Sequence, residues 1–202
     1  VKQSFWLRTG PTGGETPLGT YYSHADYTPG SRLIDLHFNN HPTLNIMVSY
    51  LLTGVPSGLG SDVAEVISIT LKEDVPPNLQ TANDVHFFQY SDFSMGGTPD
   101  NDFVHFPNSS AVQQTGDGAV LSETVVTPMP QHRAAGEWPS LRDAFNDGSP
   151  TTLNDLPAVG GAWLGGDVEW AFQWDQVVTR DVPLLISKDK QLEQVPEPTT
   201  LL

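Results

Sequence analysis

The side chains of this 202-residue chain best equipped for chemistry are its aromatics and its acids. Phe87, Phe88, Tyr90, Phe93, Trp170, Phe172 and Trp174 fall in two short stretches. Ring faces stack on the C–H faces of sugars, which makes Tyr90, Trp170 and Trp174 candidates for a saccharide-binding platform. Aromatics at alternating positions also fill cores, because each buries a large apolar area. Asp92, Asp100 and Asp102 bring carboxylates around Asp100-Asn101-Asp102. Calcium, a hard cation that takes oxygen ligands, is the ion such a group would hold. The stretch lacks the full calcium-loop pattern, and Asp and Asn in succession also form turns by bonding to local backbone. His37 and His41 have the spacing that aligns two metal ligands on a helix, but Asn39, Asn40 and Pro42 oppose a helix there.

Enzymatic patterns are weaker. Glycoside hydrolysis needs two carboxylates at a controlled separation. Glu65, Asp92, Glu123, Glu169 and Asp175 could supply such a pair, but with 24 acids in the chain a possible pair carries no weight. No Gly-x-Ser-x-Gly elbow, phosphate loop, dinucleotide fingerprint or zinc-protease motif occurs. The chain contains no cysteine, which rules out disulfides, thiolate metal sites and thiol catalysis. No organic cofactor is called for. The formal net charge of −15 repels phosphate backbones and anionic lipid surfaces, so neither nucleic acid nor a membrane surface is an expected partner. No run reaches the roughly 18 apolar residues of a membrane span.

Period-two alternation is the dominant pattern, and it marks strands. Leu44, Ile46, Val48, Tyr50 and Leu52 form one apolar row, and Ile67, Ile69 and Leu71 another. A turn at Gly54–Gly58 suits an antiparallel hairpin between them. Val85–Phe93 is apolar on both faces, as a central strand is. Further strands are expected at Phe103–Phe106, Ala111–Gln114, Ser122–Val126 and Val168–Val178. Phe88-Gln89-Tyr90 is echoed by Phe172-Gln173-Trp174, which suggests neighbouring strands. One helix is predicted at Pro139–Phe145, with Pro139 in its first turn. Gly148–Gly166 reads as a surface loop. Many short strands and a single helix predict an all-β fold, an antiparallel two-sheet β-sandwich with long loops, spanning residues 1–185. Residues 186–202 alternate poorly and are predicted to be a flexible tail.

The tail carries a resemblance. Val195-Pro196-Glu197-Pro198-Thr199-Thr200-Leu201-Leu202 is similar to the opening of the PEP-CTERM sorting signal, with Pro196, Glu197 and Pro198 as the sorting tripeptide. Tyr22-Ser23-His24, Ser61–Glu65, His86–Phe93, Ser122–Pro128, Trp170–Asp175 and Ile186–Lys190 also resemble stretches of one group of PEP-CTERM proteins. The resemblance thus covers most of the chain from about Tyr21 onward. It implies a protein secreted or displayed at the cell surface by a Gram-negative bacterium. Its leader would already be removed, and an exosortase would process it near Pro-Glu-Pro. Such proteins are linked to extracellular polysaccharide, biofilm and floc formation. The signal's hydrophobic span and basic cluster are missing from the 202 residues, so this polypeptide is not expected to be anchored by that route. The resemblance transfers no catalytic residue.

The leading expectation is a non-enzymatic extracellular protein that binds matrix polysaccharide or other surface proteins. The alternatives are a carbohydrate-active enzyme on a sandwich scaffold, and a structural subunit that assembles through a strand edge or its tail.

Overall fold

The computed structural model describes residues 2–54, 60–75, 83–95 and 102–195. Asp100, Pro196, Glu197 and Pro198 lie outside the described residues. The described chain forms two antiparallel sheets and one short α-helix, an all-β sandwich as the alternation predicts. The smaller sheet has the order β11 (His132–Glu137), β13 (Val168–Val178), β7 (Asn83–Asp92), β1 (Lys2–Thr9), β2 (Thr16–Pro17). The larger runs β12 (Ala162–Leu164), β8 (Phe103–Asn108), β9 (Ala111–Gly116), β10 (Ala119–Thr127), β14 (Leu184–Gln194), β6 (Gly60–Leu71), β5 (Leu44–Gly54), β4 (Leu33–His37), β3 (His24–Tyr27). No helix among the described residues is long and apolar enough to cross a membrane.

Strand alternation sets the layers. Rows of Leu44, Ile46 and Val48 on β5 and of Ile67 and Ile69 on β6 face the smaller sheet. Phe5, Leu7, Val85, Phe87, Trp170, Phe172 and Trp174 answer them from the smaller sheet, and all are buried. The β5–β6 hairpin has the expected pairing, with Ile46 opposite Ile69 and Val48 opposite Ile67.

The smaller sheet is covered on its other face as well. There Trp6, Phe88, Tyr90 and Ala171 pack under the helix α1 (Ser140–Asn146) and Leu153, with Phe145 stacked on Trp6 at 5.2 Å. A double cover explains why β7 and β13 are apolar on both faces. The echoed triplets do lie on neighbouring strands. Antiparallel register sets Phe172 against Gln89 and Gln173 against Phe88, so Gln89 points between the sheets and Gln173 points away.

Two expectations need correction. The predicted loop at Gly148–Gly166 contains β12, which pairs with β8. More consequentially, the predicted tail from residue 186 is β14, a central strand paired with β10 on one side and β6 on the other. Its inward row begins apolar, with Leu184 and Ile186, and continues with Lys188 and Lys190. Pattern reading takes an inward lysine for the end of a strand, whereas here the lysines meet acids on the neighbouring strands. The domain therefore runs to at least Gln194.

Candidate functional site

Inside the sandwich, charged side chains occupy positions in phase with the apolar rows. On β6, Glu65 belongs to the row of Ile67 and Ile69. On β10, Glu123 lies between Leu121 and Val125. On β14, Lys188 follows Ile186. Lys188 is 2 % exposed, and Glu65 and Glu123 are each 1 % exposed. Lys188 Nζ lies 2.7 Å from Glu65 and 3.3 Å from Glu123, while Lys190 Nζ lies 2.9 Å from Glu123.

The smaller sheet completes the network. Gln3 Nε2 donates to Glu65 Oε2 at 2.8 Å and Gln3 Oε1 accepts from Lys190, while Gln89 Oε1 accepts from Lys188. Lys188 also rests over the Phe5 ring, 5.7 Å from its centroid. Two lysines and two glutamates thus form a neutral quartet bridged to both sheets. Burial opposes ionisation of Glu123, but Lys188 and Lys190 outweigh it and hold the carboxyl below the usual carboxylate range. Burial, reinforced by Glu65 and Glu123, pushes the Tyr50 hydroxyl well above its ordinary value.

A cleft of about 450 Å³ opens beside this quartet, between β1 and the inner side of the larger sheet. Its walls are Phe5, Trp6, Leu18, Leu36, Phe38 and Tyr50. Lys2, Gln3, Ser4, Arg142 and Asn146 supply polar groups. Gln3 lines the cleft and hydrogen-bonds to Glu65 and Lys190, so the cleft adjoins the quartet through this one side chain. An apolar concavity with a few convergent polar groups is the usual form of a small-ligand site.

The residues expected to form a saccharide platform do not do so. Tyr90, Trp170 and Trp174 are each fully buried. Trp170 Nε1 donates to Gln114 Oε1 at 3.1 Å, Trp174 Nε1 to the Pro128 carbonyl at 3.0 Å, and the Tyr90 hydroxyl to Glu169 Oε2 at 2.7 Å. Each ring fills core and each polar tip has an internal partner, so no face is left for a sugar. Tyr90 is registered opposite Ala171, which points away from its strand neighbours Trp170 and Phe172, so Tyr90 lies on the opposite face of the sheet from the two tryptophans.

The described members of the calcium set are also separated. Asp92 sits on the α1 side of β7, where the Tyr90 hydroxyl approaches it at 3.5 Å. Asp102 is buried on the inter-sheet side, its Oδ2 accepting from Met95 N and Gln114 Nε2 at 2.9 Å each. Burial holds the Asp102 carboxyl above its usual range despite those bonds. Asp92 and Asp102 thus serve two different hydrogen-bond networks rather than one ion.

His41 is not paired with His37. It is buried, and its Nδ1 accepts from the backbone N–H groups of Thr43 and Leu44, which fixes the entry to β5. Burial first, then Lys72, lowers its pKa to about 4. Glu169 accepts from Ser140 Oγ at 3.1 Å and from the Leu141 N–H, capping α1, and burial raises its pKa. On the same outer face, Asp175 links His86 Nδ1 (2.6 Å) to His132 Nε2 (3.9 Å), and Asp155 holds His132 Nδ1 at 2.9 Å.

Pattern reading named Glu65 and Glu123 only as possible hydrolytic acids, and it missed Lys188, Lys190, Gln3 and Tyr50. The available signal was a charge in phase with an apolar row, at Glu65, Glu123 and Lys188. Comparison with known proteins adds no relative: no protein-family model matches the chain, and no curated protein matches it.

Proposed function

We propose that this chain is an exported, non-enzymatic binding module of a Gram-negative cell surface or matrix, whose inter-sheet cleft takes a saccharide unit of extracellular polysaccharide. The observation that carries the binding reading is the cleft's mixed chemistry. The half-buried Tyr50 offers ring surface for a sugar C–H face, and Lys2, Gln3, Arg142 and Asn146 offer donors for hydroxyls. Export and exosortase processing rest on the resemblance of Val195–Leu202 to a sorting signal.

The state of Glu65 and Glu123, the acids beside the cleft, supports binding over hydrolysis there. A glycosidase needs one carboxyl held protonated while its partner stays ionised. Glu65 and Glu123 are both clamped by Lys188, and Glu123 is held ionised. The outer strand β3 carries Asp26, and charge on an edge discourages strand-to-strand assembly.

The test is a glycan array and co-sedimentation with bacterial exopolysaccharides, using the wild type and the rim variants Lys2→Ala and Arg142→Ala. Saturable binding that weakens in both rim variants, with unchanged melting temperature, is the expected result. Equal binding by the variants, or depolymerisation of the polysaccharide, would overturn the reading. Export is tested by fractionating an exosortase-bearing bacterium that expresses the chain with Pro196, Glu197 and Pro198 either intact or replaced by alanine.

A further inference from the structure

The outward face of the larger sheet carries an unusual quartet at its β3 edge. His24 and His37 are directly opposed across the β3–β4 pair, as are Asp26 and Asp35. Residues two apart on a strand share a face, so all four side chains stand on one surface. The imidazole rings of His24 and His37 stack with centroids 4.3 Å apart and planes within 3°. Asp26 Oδ2 lies 3.2 Å from His37 Nε2 and 3.8 Å from His24 Nε2. One ligand atom from each of these three residues lies within 4.8 Å of the other two.

Two further observations point to a cation. The first is the hydrogen bonding of Ser23. Its hydroxyl donates its single proton to the His37 carbonyl at 2.9 Å and accepts the Asn39 N–H at 3.4 Å. It also lies 3.1 Å from His24 Nδ1. With its proton committed, Ser23 can only accept there, so Nδ1 of His24 carries hydrogen and Nε2 is the nitrogen turned towards Asp26. An Nδ1–H held by an oxygen while Nε2 points into a cluster is the arrangement that orients metal-bound histidine. The second is the Asp26–Asp35 pair. Like charges directly opposed on a sheet repel, and among the described residues the lysine and arginine ion pairs all go elsewhere.

We propose that His24, Asp26 and His37 bind one divalent transition-metal ion of the zinc class, with Ser23 as a positioning residue. Two imidazole nitrogens and a carboxylate oxygen suit zinc, cobalt or nickel, and nitrogen ligands disfavour calcium. Zinc–ligand bonds of about 2.0–2.1 Å at tetrahedral angles place ligand atoms about 3.3 Å apart. The 3.2 and 3.8 Å separations from Asp26 Oδ2 are close to that value. The fourth position opens to solvent, because His24 and Asp26 are exposed on the last strand of the sheet.

Isothermal titration of chelator-treated full chain with zinc chloride tests the site, alongside Asp26→Asn, His37→Ala and Ser23→Ala. One saturable site is expected. Asp26→Asn and His37→Ala should abolish it, and Ser23→Ala should weaken it about tenfold. Histidine NMR gives an independent reading on the wild type: zinc should shift the ring signals of His24 and His37 and leave those of the other four histidines in place. Zinc binding that persists in Asp26→Asn and His37→Ala, no saturable binding, or shifts confined to other histidines would overturn the assignment.

Discussion

Replacing Lys188 with methionine isolates the energetic role of the buried quartet. Lys188, Lys190, Glu65 and Glu123 together carry no net charge, and Lys188 is the only member that contacts both acids. Methionine fills similar volume but leaves the buried Glu65 carboxylate without a counter-charge, its remaining bond being from the Gln3 amide. Removing one partner of a buried pair costs about 3–5 kcal/mol, chiefly because the remaining charge stays desolvated. Each kcal/mol lowers the melting temperature by about 2–4 °C in a domain of this size, so K188M should melt about 6–20 °C below the wild type at pH 7.

The pH dependence supplies the sign. In the wild type the lowered Glu123 pKa contributes stability that is complete above the ordinary glutamate pKa and is lost as pH falls through the lowered value. In K188M the orphaned acid prefers to be protonated when folded, so the variant gains stability as pH falls from 7 towards 5 and the gap narrows. The E65Q/K188M double variant, which removes one charge of each sign, should recover much of the loss. Urea denaturation followed by tryptophan fluorescence measures each case. A deficit below about 1 kcal/mol at pH 7, the range of an exposed ion pair, or a deficit unchanged between pH 5 and 8, would refute a buried, charge-balanced quartet.

Other consequences follow from single contacts. Trp174→Ala should cost about 3–5 kcal/mol in chemical denaturation, as a core truncation does, whereas loss at a surface platform would leave stability nearly unchanged. Because its pKa falls to about 4 on burial, His41 contributes stability that is complete above its ordinary value of 6.5 and is lost as pH drops towards 4. His41→Gln should therefore flatten the decline in melting temperature between pH 7 and 5. Gly116→Ala would set a Cβ 1.9 Å from Asp102 Oδ1 and displace that carboxyl from Met95 and Gln114, destabilising by about 1–3 kcal/mol in urea denaturation. A chain ended after Leu185 should fail to fold, seen as loss of β signal in circular dichroism, because β14 is the strand paired to both β10 and β6.

The strands whose alternation is purely apolar were readable in advance. Val168–Val178 matches β13 end to end, and β5 and β6 pair as their rows imply. The seven-residue helix starts one residue after the expected Pro139. β1 was not legible, because Phe5-Trp6-Leu7 shows no alternation: its two faces enter two different apolar clusters. β14 was misread for the opposite reason, its inward positions being charged. The aromatic residues were located correctly as an alternating set, yet whether they would be core or platform depended on what covers the sheet, and both faces of β7 and β13 are covered.

Local order therefore determined the class of this protein: residues at period two, interrupted by turns, can bury their apolar rows only by pairing sheets. Tertiary structure alone decided which charges are buried and which meet. Glu65, Glu123 and Lys188 are separated by as many as 123 positions in the chain, yet converge within 3.3 Å of one lysine nitrogen. His24 and His37 face each other only through the register of one strand pair. Periodicity is a property of neighbours along the chain, whereas ion pairing and metal ligation require approach through space, and strand order and register alone determine that approach.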